Sequence, residues 1–424
     1  MSILIKNILL NNGITDVLIE ENIIKKISQN IDYQADTIID GTNKALSAGF
    51  VNCHTHSAMT LFRGFGDDME LEEWLQTKIW PYEAHLTDEI VYHAAKLACL
   101  EMIKTGTTCF NDMYWNIQAV KQAVMDTGIR AVLSKVILNA GNDANVEDVK
   151  REVKKSYVTF ETNPSDTAVF ALGPHAVYTV NKETLLWVKQ FAKDNNLLIH
   201  IHLAETPTEC DNCVKQYGMT PVRFLNSLGL LSENLVIAHC LWVDDDEINM
   251  LADNGVKVVH NPNSNLKLAS GYRFKYHEMN DKGIIIGLGT DGCSSSNNLD
   301  MTGAMKTASL IGKAWRDDPT ATPARDMYKC ATENGGKILR MNIGKIEEGY
   351  LADVILFDLN TPAFTPNYNF ISNLVYAANG NDVDTVICNG KIVMQNKKVD
   401  NEAEILENGR NFAYKLMYNA EKIK

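Results

Sequence analysis

Short runs of aliphatic and β-branched residues, spaced by polar ones, open the chain. Ile3 to Leu10, Val17 to Glu20 and Ile23 to Ile27 are broken at Asn11-Asn12-Gly13 and at Glu21-Asn22, and predict strands. The far end has the same style. Ala352 to Asp358 predicts a strand, and Thr385 to Met394 predicts a hairpin turning at Asn389-Gly390 in a type I′ turn. Neither end has enough strands to be stable alone. The two ends are therefore expected to pair into one small β-sandwich domain, made of residues 1–48 and 347–424, with residues 49–346 inserted between them.

The middle has a different rhythm. Apolar, strand-like runs alternate with longer helical patterns such as Asp88 to Lys104, Asn181 to Asn195 and Thr220 to Leu228. Eight such runs end near His54, Asp112, Val136, His175, His202, His239, His260 and Asp291. Eight strands alternating with helices over about 250 residues predict an α/β fold, a (β/α)8 TIM-type barrel. An open doubly wound sheet is the alternative, but it would typically carry a glycine-rich phosphate turn after its first strand, where this chain has a histidine pair. Five of the eight runs end in histidine and two in aspartate. In such barrels the C-terminal strand ends carry the chemistry.

Composition narrows the class. The 424 residues are 45% hydrophobic and 22% charged, which suits a protein with a sizeable core. Forty Lys and Arg against 53 Asp and Glu leave a formal charge of −13, which argues against nucleic-acid or anionic-membrane partners. The first residues, Met1 to Asn7, do not read as a secretory signal, and no segment approaches the roughly 20 apolar residues of a spanning helix. Nine scattered cysteines make no disulfide framework, so a cytoplasmic setting is expected. Cys210 and Cys213 have the spacing of a metal pair but lack a second pair, and are read as incidental.

Four motifs carry the candidate chemistry. His54 and His56 stand at i and i+2, so on a strand they share a face roughly 6–7 Å apart and could bite one metal ion. Alone, the pair reads equally well as a polar strand end. His200-Ile201-His202-Leu203-Ala204-Glu205 repeats the spacing and adds a carboxylate. His202 is better placed to reach a metal, His200 lies a layer deeper, and Glu205 is poised as an acid or base. His239 and Asp291 supply a further imidazole and carboxylate, although an Asp before Gly292 is by itself more often a turn residue. Three nitrogens and one oxygen, with room for water, describe a catalytic zinc-type site; iron, manganese and nickel also suit these donors. Such a metal lowers the pKa of its water to about 7.

These residues resemble the amidohydrolase superfamily, over nearly the whole chain. The runs His54-Thr55-His56, His202 to Thr206, His260 to Gly271 and Thr290 to Met301 are similar to those of its 5-methylthioadenosine/S-adenosylhomocysteine deaminase branch. The resemblance implies one divalent metal, Zn2+ first, held by His54, His56, His202 and Asp291. It implies that Glu205 protonates a ring nitrogen, that His239 and Asp291 handle the protons of the attacking water, and that Glu83 and His175 contact the substrate. Glu83 alone would read as an exposed helix residue. Binuclear members carry a lysine at the end of the fourth strand; this chain has Gly173-Pro174-His175 there, so a single ion is expected. Where some members grip an amino-acid carboxylate with arginines, the stretch Leu133 to Asn145 offers only Lys135, which lacks the bidentate fork.

The function so implied is hydrolytic deamination of an adenine-type nucleoside: adenosine, 5′-deoxyadenosine, 5-methylthioadenosine or S-adenosylhomocysteine. Guanine, another aminated heterocycle or a triazine is the alternative substrate, and a non-catalytic barrel the alternative from another class. The aromatic stretch Trp74 to Tyr82, with Trp80, reads as a lid over the nucleoside or equally as core. Self-association is left open, since no stretch identifies an interface.

Overall fold

The computed structural model describes residues 1–139 and 145–421. Five strands come first: β1 (Ser2–Leu10), β2 (Gly13–Glu20), β3 (Ile23–Ser28), β4 (Thr37–Asp40) and β5 (Lys44–Ala48). Eight follow, interleaved with helices: β6 (Phe50–Thr55), β7 (Thr107–Tyr114), β8 (Arg130–Ile137), β9 (Ala168–Pro174), β10 (Ile199–Leu203), β11 (Leu235–His239), β12 (Lys257–His260) and β13 (Ile286–Leu288). The last three are β14 (Val354–Asp358), β15 (Val383–Cys388) and β16 (Lys391–Met394).

Strands β6 to β13 pair in sequence order, each parallel to the next, around a nearly closed barrel. At the seam, the Asp291 amide donates to the His54 carbonyl at 3.0 Å and the Thr290 amide to Asn52 Oδ1 at 3.1 Å. Buried strands of a closed parallel sheet need apolar residues on both faces, which is why these runs do not alternate cleanly. The intervening helices start on side-chain caps: Thr87 accepts from the Ile90 amide and Asn181 from that of Thr184.

The other strands form one mixed sheet in the order β16-β15-β14-β5-β1-β2-β3, with β4 beside β1. It therefore joins the two ends of the chain, most directly where β5 pairs with β14 over five residues. The sheet turns back on itself through a bridge between Ile23 and Leu351. Ile3, Ile5, Val17, Ile19, Val354 and Leu356 share one apolar cluster on its inner face. Alternate residues of the same strand, Ile355 and Phe357, point into the barrel's core instead. The hairpin turns at Asn389 (φ 52°) and Gly390 (φ 70°), the two positive angles of a type I′ turn. A Cβ on Gly390 would meet the Glu21 carbonyl.

An ion pair fastens sheet to barrel. The Arg130 guanidinium, at the start of β8, donates to Asp353 Oδ2 at 2.8 Å, and both side chains are almost fully buried. Arg130 also donates to the carbonyl of Asp166 and to Asn389 Oδ1, and the Asn389 amide donates to Asp353 Oδ1 at 2.8 Å. All nine cysteines are free thiols. Among the described residues no helix is long and apolar enough to cross a membrane.

Removing one partner of a buried pair leaves a bare charge in low dielectric. Asp353→Ala is predicted to cost about 3–5 kcal/mol, visible as a lowered thermal midpoint, whereas Lys25→Ala, which breaks an exposed pair with Glu20, should leave the melt unchanged. Equal midpoints for the two variants would refute this account of the junction.

Candidate active site

The period of two along β6 puts His54 and His56 on one face, and the barrel's curvature brings β10, β11 and β13 to the same end. The approach at the seam is close: a Cβ on Gly289 would lie 2.8 Å from the His54 carbonyl. Only glycine permits it there.

The imidazole tautomers follow from their partners. A carbonyl can only accept, so His56 donates Nδ1–H to the Met113 carbonyl at 2.7 Å and His202 donates Nδ1–H to that of His175 at 2.8 Å. Both Nε2 atoms are then bare lone pairs, and they face each other at 3.3 Å. Asp291 Oδ1 lies 3.2 Å from His56 Nε2 and 3.3 Å from His54 Nε2. His54 Nε2 is buried without a hydrogen-bond partner, while His54 Nδ1 meets His200 Nε2 at 2.7 Å. With His56 and His202 neutral, three imidazole nitrogens thus converge on one carboxylate oxygen, which also accepts from the Gly292 amide at 2.9 Å. Such a group of acceptors needs a cation or an added proton at its centre, and three nitrogens with one oxygen suit a divalent metal. His54, His56 and Asp291, and His54, His202 and His239, each bring ligand atoms within 4.8 Å of one another.

The charges agree. Burial holds His54 down at about 4 and drives His202 well below its usual range, so both are neutral near pH 7. Burial works against charge on His56 too, but the Asp291 carboxylate outweighs it and raises that imidazole to about 9. Asp291, despite burial, is held well below the usual carboxylate range by His54 and His56. The cage therefore calls for positive charge beside Asp291. Its other oxygen, Oδ2, is fixed by the hydroxyls of Ser264 at 2.6 Å and Ser295 at 2.9 Å.

Around the cage lie the remaining groups. His239 donates Nδ1–H to Asn265 Oδ1 at 2.8 Å, which turns its Nε2 toward Glu205 Oε2, 3.8 Å away. Glu205 Oε1 accepts from the Ser270 hydroxyl at 3.1 Å. Glu83 accepts from the Tyr114 hydroxyl at 2.7 Å, and burial raises its carboxyl above the ordinary value. One cavity is lined by His56, Glu83, His175, His202, Glu205, His239 and Asp291, with Trp74, Trp80, Trp115, Met59 and Leu138 as apolar wall. Among the described residues no lysine or arginine lines it.

Of the sequence-predicted residues, His56, Trp80, Glu83, His175, His202, Glu205, His239 and Asp291 line this cavity, and His54 lies just behind it against Asp291. Glu83 is not the exposed helix residue that it would be if read alone. The two tryptophans divide: Trp74 is 5% exposed and packs in the core, while Trp80, 41% exposed, stands at the rim. His200 sits behind His54, as its deeper position predicts. Lys135 pairs with Glu152 at 2.9 Å, and residues 140–144 of the stretch scanned for arginines lie outside the described residues. His260, though it ends a strand, stacks on Phe274 at 4.1 Å outside the cavity. Sequence reasoning missed Ser264, Asn265, Ser270 and Ser295, whose types are common in loops. It also missed Asp112, which accepts from the Ser57 amide and hydroxyl at 2.6 and 3.0 Å and anchors the turn after His56. Its place at a strand end was the available signal.

The amidohydrolase family model matches residues 45–393. A 5-methylthioadenosine/S-adenosylhomocysteine deaminase of Thermococcus kodakarensis is 46% identical over 400 residues, 93% of this chain and 94% of the relative. A 5′-deoxyadenosine deaminase of Methanospirillum hungatei is 44% identical over 394 residues, 93% of this chain and 88% of the relative. Among solved structures, an adenosine deaminase from Xanthomonas campestris with bound zinc superposes with a TM-score of 0.92 at 31% identity, covering 98% of each chain.

Asp291→Ala, which removes the carboxylate that gathers the imidazoles, is predicted to abolish retention of a divalent ion through gel filtration, while the unaltered chain keeps about one per subunit. Metal analysis of both checks this, and equal metal content would refute it.

Proposed function

The chain belongs to the amidohydrolase family, and on that premise we propose that it is a metal-dependent deaminase that hydrolyses an adenine-type nucleoside to its inosine analogue and ammonia. The observation that carries this reading is the juxtaposition of Glu205 and His239 beside the acceptor cage, inside a cavity with aromatic walls. His54, His56, His202 and Asp291 would hold the ion. Zinc is the ion we assign, supported by the nitrogen-rich donor set. When bound, it acts as a Lewis acid that makes water a nucleophile near neutral pH.

The chain's own residues supply the rest. Glu205, held by Ser270, gives a proton to the ring nitrogen next to the carbon bearing the amino group, which makes that carbon electrophilic. His239, fixed by Asn265, and Asp291, fixed by Ser264 and Ser295, take protons from the attacking water and pass one to the departing ammonia. Balance is simple: water adds, a carbon–oxygen bond forms, the carbon–nitrogen bond breaks and ammonia leaves. Glu83, oriented by Tyr114, accepts from the sugar hydroxyls, and His175 contacts the substrate beside His202. Trp80 covers the purine at the rim. Residues 49–346 form the catalytic unit, braced by the β-domain of residues 1–48 and 347–424.

The lining also bears on the 5′ group. It holds the carboxylates of Glu83, Glu205 and Asp291 and, among the described residues, no lysine or arginine, and Lys135 is already paired with Glu152. With Asp291 on the ion and Glu205 carrying its proton, an anionic tail meets Glu83 as like charge and finds no cationic side chain to pair with. Substrates with small uncharged 5′ groups, such as 5′-deoxyadenosine, 5-methylthioadenosine and adenosine, fit best.

Ammonia release from a panel of these three, S-adenosylhomocysteine, adenosine 5′-monophosphate, guanine and a chlorotriazine tests the reading. The three uncharged nucleosides are expected to turn over, with kcat/KM at least about 10²-fold above that of the 5′-monophosphate. Ammonia from guanine alone, or chloride from the triazine alone, would overturn it. Glu205→Gln should retain the metal and lose about 10²–10⁴-fold in kcat; near-normal turnover would remove Glu205 from the mechanism.

A further inference from the structure

Glu209 touches no part of the cavity, yet it is buried, and both of its carboxylate oxygens are committed. It sits three residues into the helix Pro207–Tyr217, whose N-cap, Thr206, accepts from the Glu209 amide at 3.1 Å. A glutamate at this place ordinarily reaches back to the amide of the cap itself. Here it reaches further. Oε1 accepts from the Ala204 amide at 3.0 Å and Oε2 from the Glu205 amide at 2.8 Å.

The two amides belong to an unusual turn. Ala204 has φ 54°, a left-handed conformation that an alanine keeps only when its surroundings impose it. On the carbonyl side the surroundings are the exit of β11: the Leu241 and Trp242 amides both donate to the Ala204 carbonyl, at 3.0 Å each. On the amide side they are Glu209. The turn decides where the next side chain goes, and the next side chain is Glu205.

We propose that Glu209 is a positioning residue for Glu205: its carboxylate clamps the Ala204 and Glu205 amides and so holds the turn that presents the Glu205 carboxyl to the substrate. The inference rests on the deaminase reading and adds to it a residue outside the cavity. Glutamine is a sharp probe of it. It keeps the shape of the side chain but has a single acceptor oxygen, and its NH2 opposes the other amide. Because the Ala204 carbonyl is held separately, the His239 turn keeps its anchor when Glu209 changes.

The test uses the metal-loaded full chain. Glu209→Ala is expected to lower kcat by about 10²-fold, and Glu209→Gln by about tenfold, with KM within about threefold of the parent value and metal content unchanged. Retained kcat in Glu209→Gln overturns the proposal, as does a joint fall of kcat, metal content and substrate affinity, which marks a merely structural role. Where Glu209→Ala does not fold, Glu209→Gln decides alone. The double variant Glu205→Gln/Glu209→Gln should be no slower than Glu205→Gln, since there is no acid left to position; an additive loss overturns the inference. Amide hydrogen exchange separates this from the substrate question. The segment holding Ala204 and Glu205 should exchange faster in Glu209→Gln than in the parent, and equal protection sinks the clamp even if the parent proves inactive on every nucleoside tried. An inactive parent with the faster exchange counts against the deaminase reading and leaves the clamp standing.

Discussion

A carboxylate buried among imidazoles has to be answered by positive charge, and in this barrel the requirement falls on Asp291. Everything at the C-terminal end of the strands is arranged around it. His56 and His202 spend their Nδ1 hydrogens on backbone carbonyls, so their lone pairs turn inward. Ser264 and Ser295 take one carboxylate oxygen, and the other faces the cage while accepting from the Gly292 amide. The fold provides what this arrangement needs: a closed sheet that excludes water from the strands, and loops that bring in hydroxyls one at a time. Most of the site's precision is owed to neutral groups that orient the charged ones.

Backbone strain marks the same place. Ala204, His239, Cys240 and Asp291 all have positive φ, and they lie at or just beyond the ends of β10, β11 and β13. Left-handed residues that are not glycine persist only where their neighbours over-determine them. Here the turn after β11 donates to the turn after β10, and the Asp291 amide donates to the His54 carbonyl. The exit of β11 is thereby tied to that of β10, and Asp291 beyond β13 to the end of β6.

Much of this was legible in the sequence, for definite reasons. His54 and His56 declare themselves by a spacing of two, and His202, His239 and Asp291 by recurring at the end of apolar runs, so periodicity located the strands and the same periodicity located the residues of the cage. The pairing of the termini was legible because neither end has enough strands to stand alone. What stayed hidden depends on contacts across the chain. Glu83 becomes a cavity residue only through Tyr114, 31 positions away. Ser270 reads as a loop serine until it meets Glu205, 65 positions away. Glu209 is one more acidic residue in a helix's first turn, and its grip on two amides follows from a backbone angle at Ala204 that no side-chain pattern encodes. His260 shows the opposite failure: it has the right spacing and points away from the cage.

The sheet built from both ends has a bearing on how the molecule is made. β5 waits with an unpaired edge until β14, some three hundred residues later, is available to cover it. During synthesis the first strands therefore emerge as an open ribbon, the kind of edge that other chains can join. The barrel between them can assemble while that ribbon is still exposed, and the final strands act as the clasp. A nascent chain halted before Val354 would leave the ribosome with every residue of the cage already translated and its sticky border uncovered.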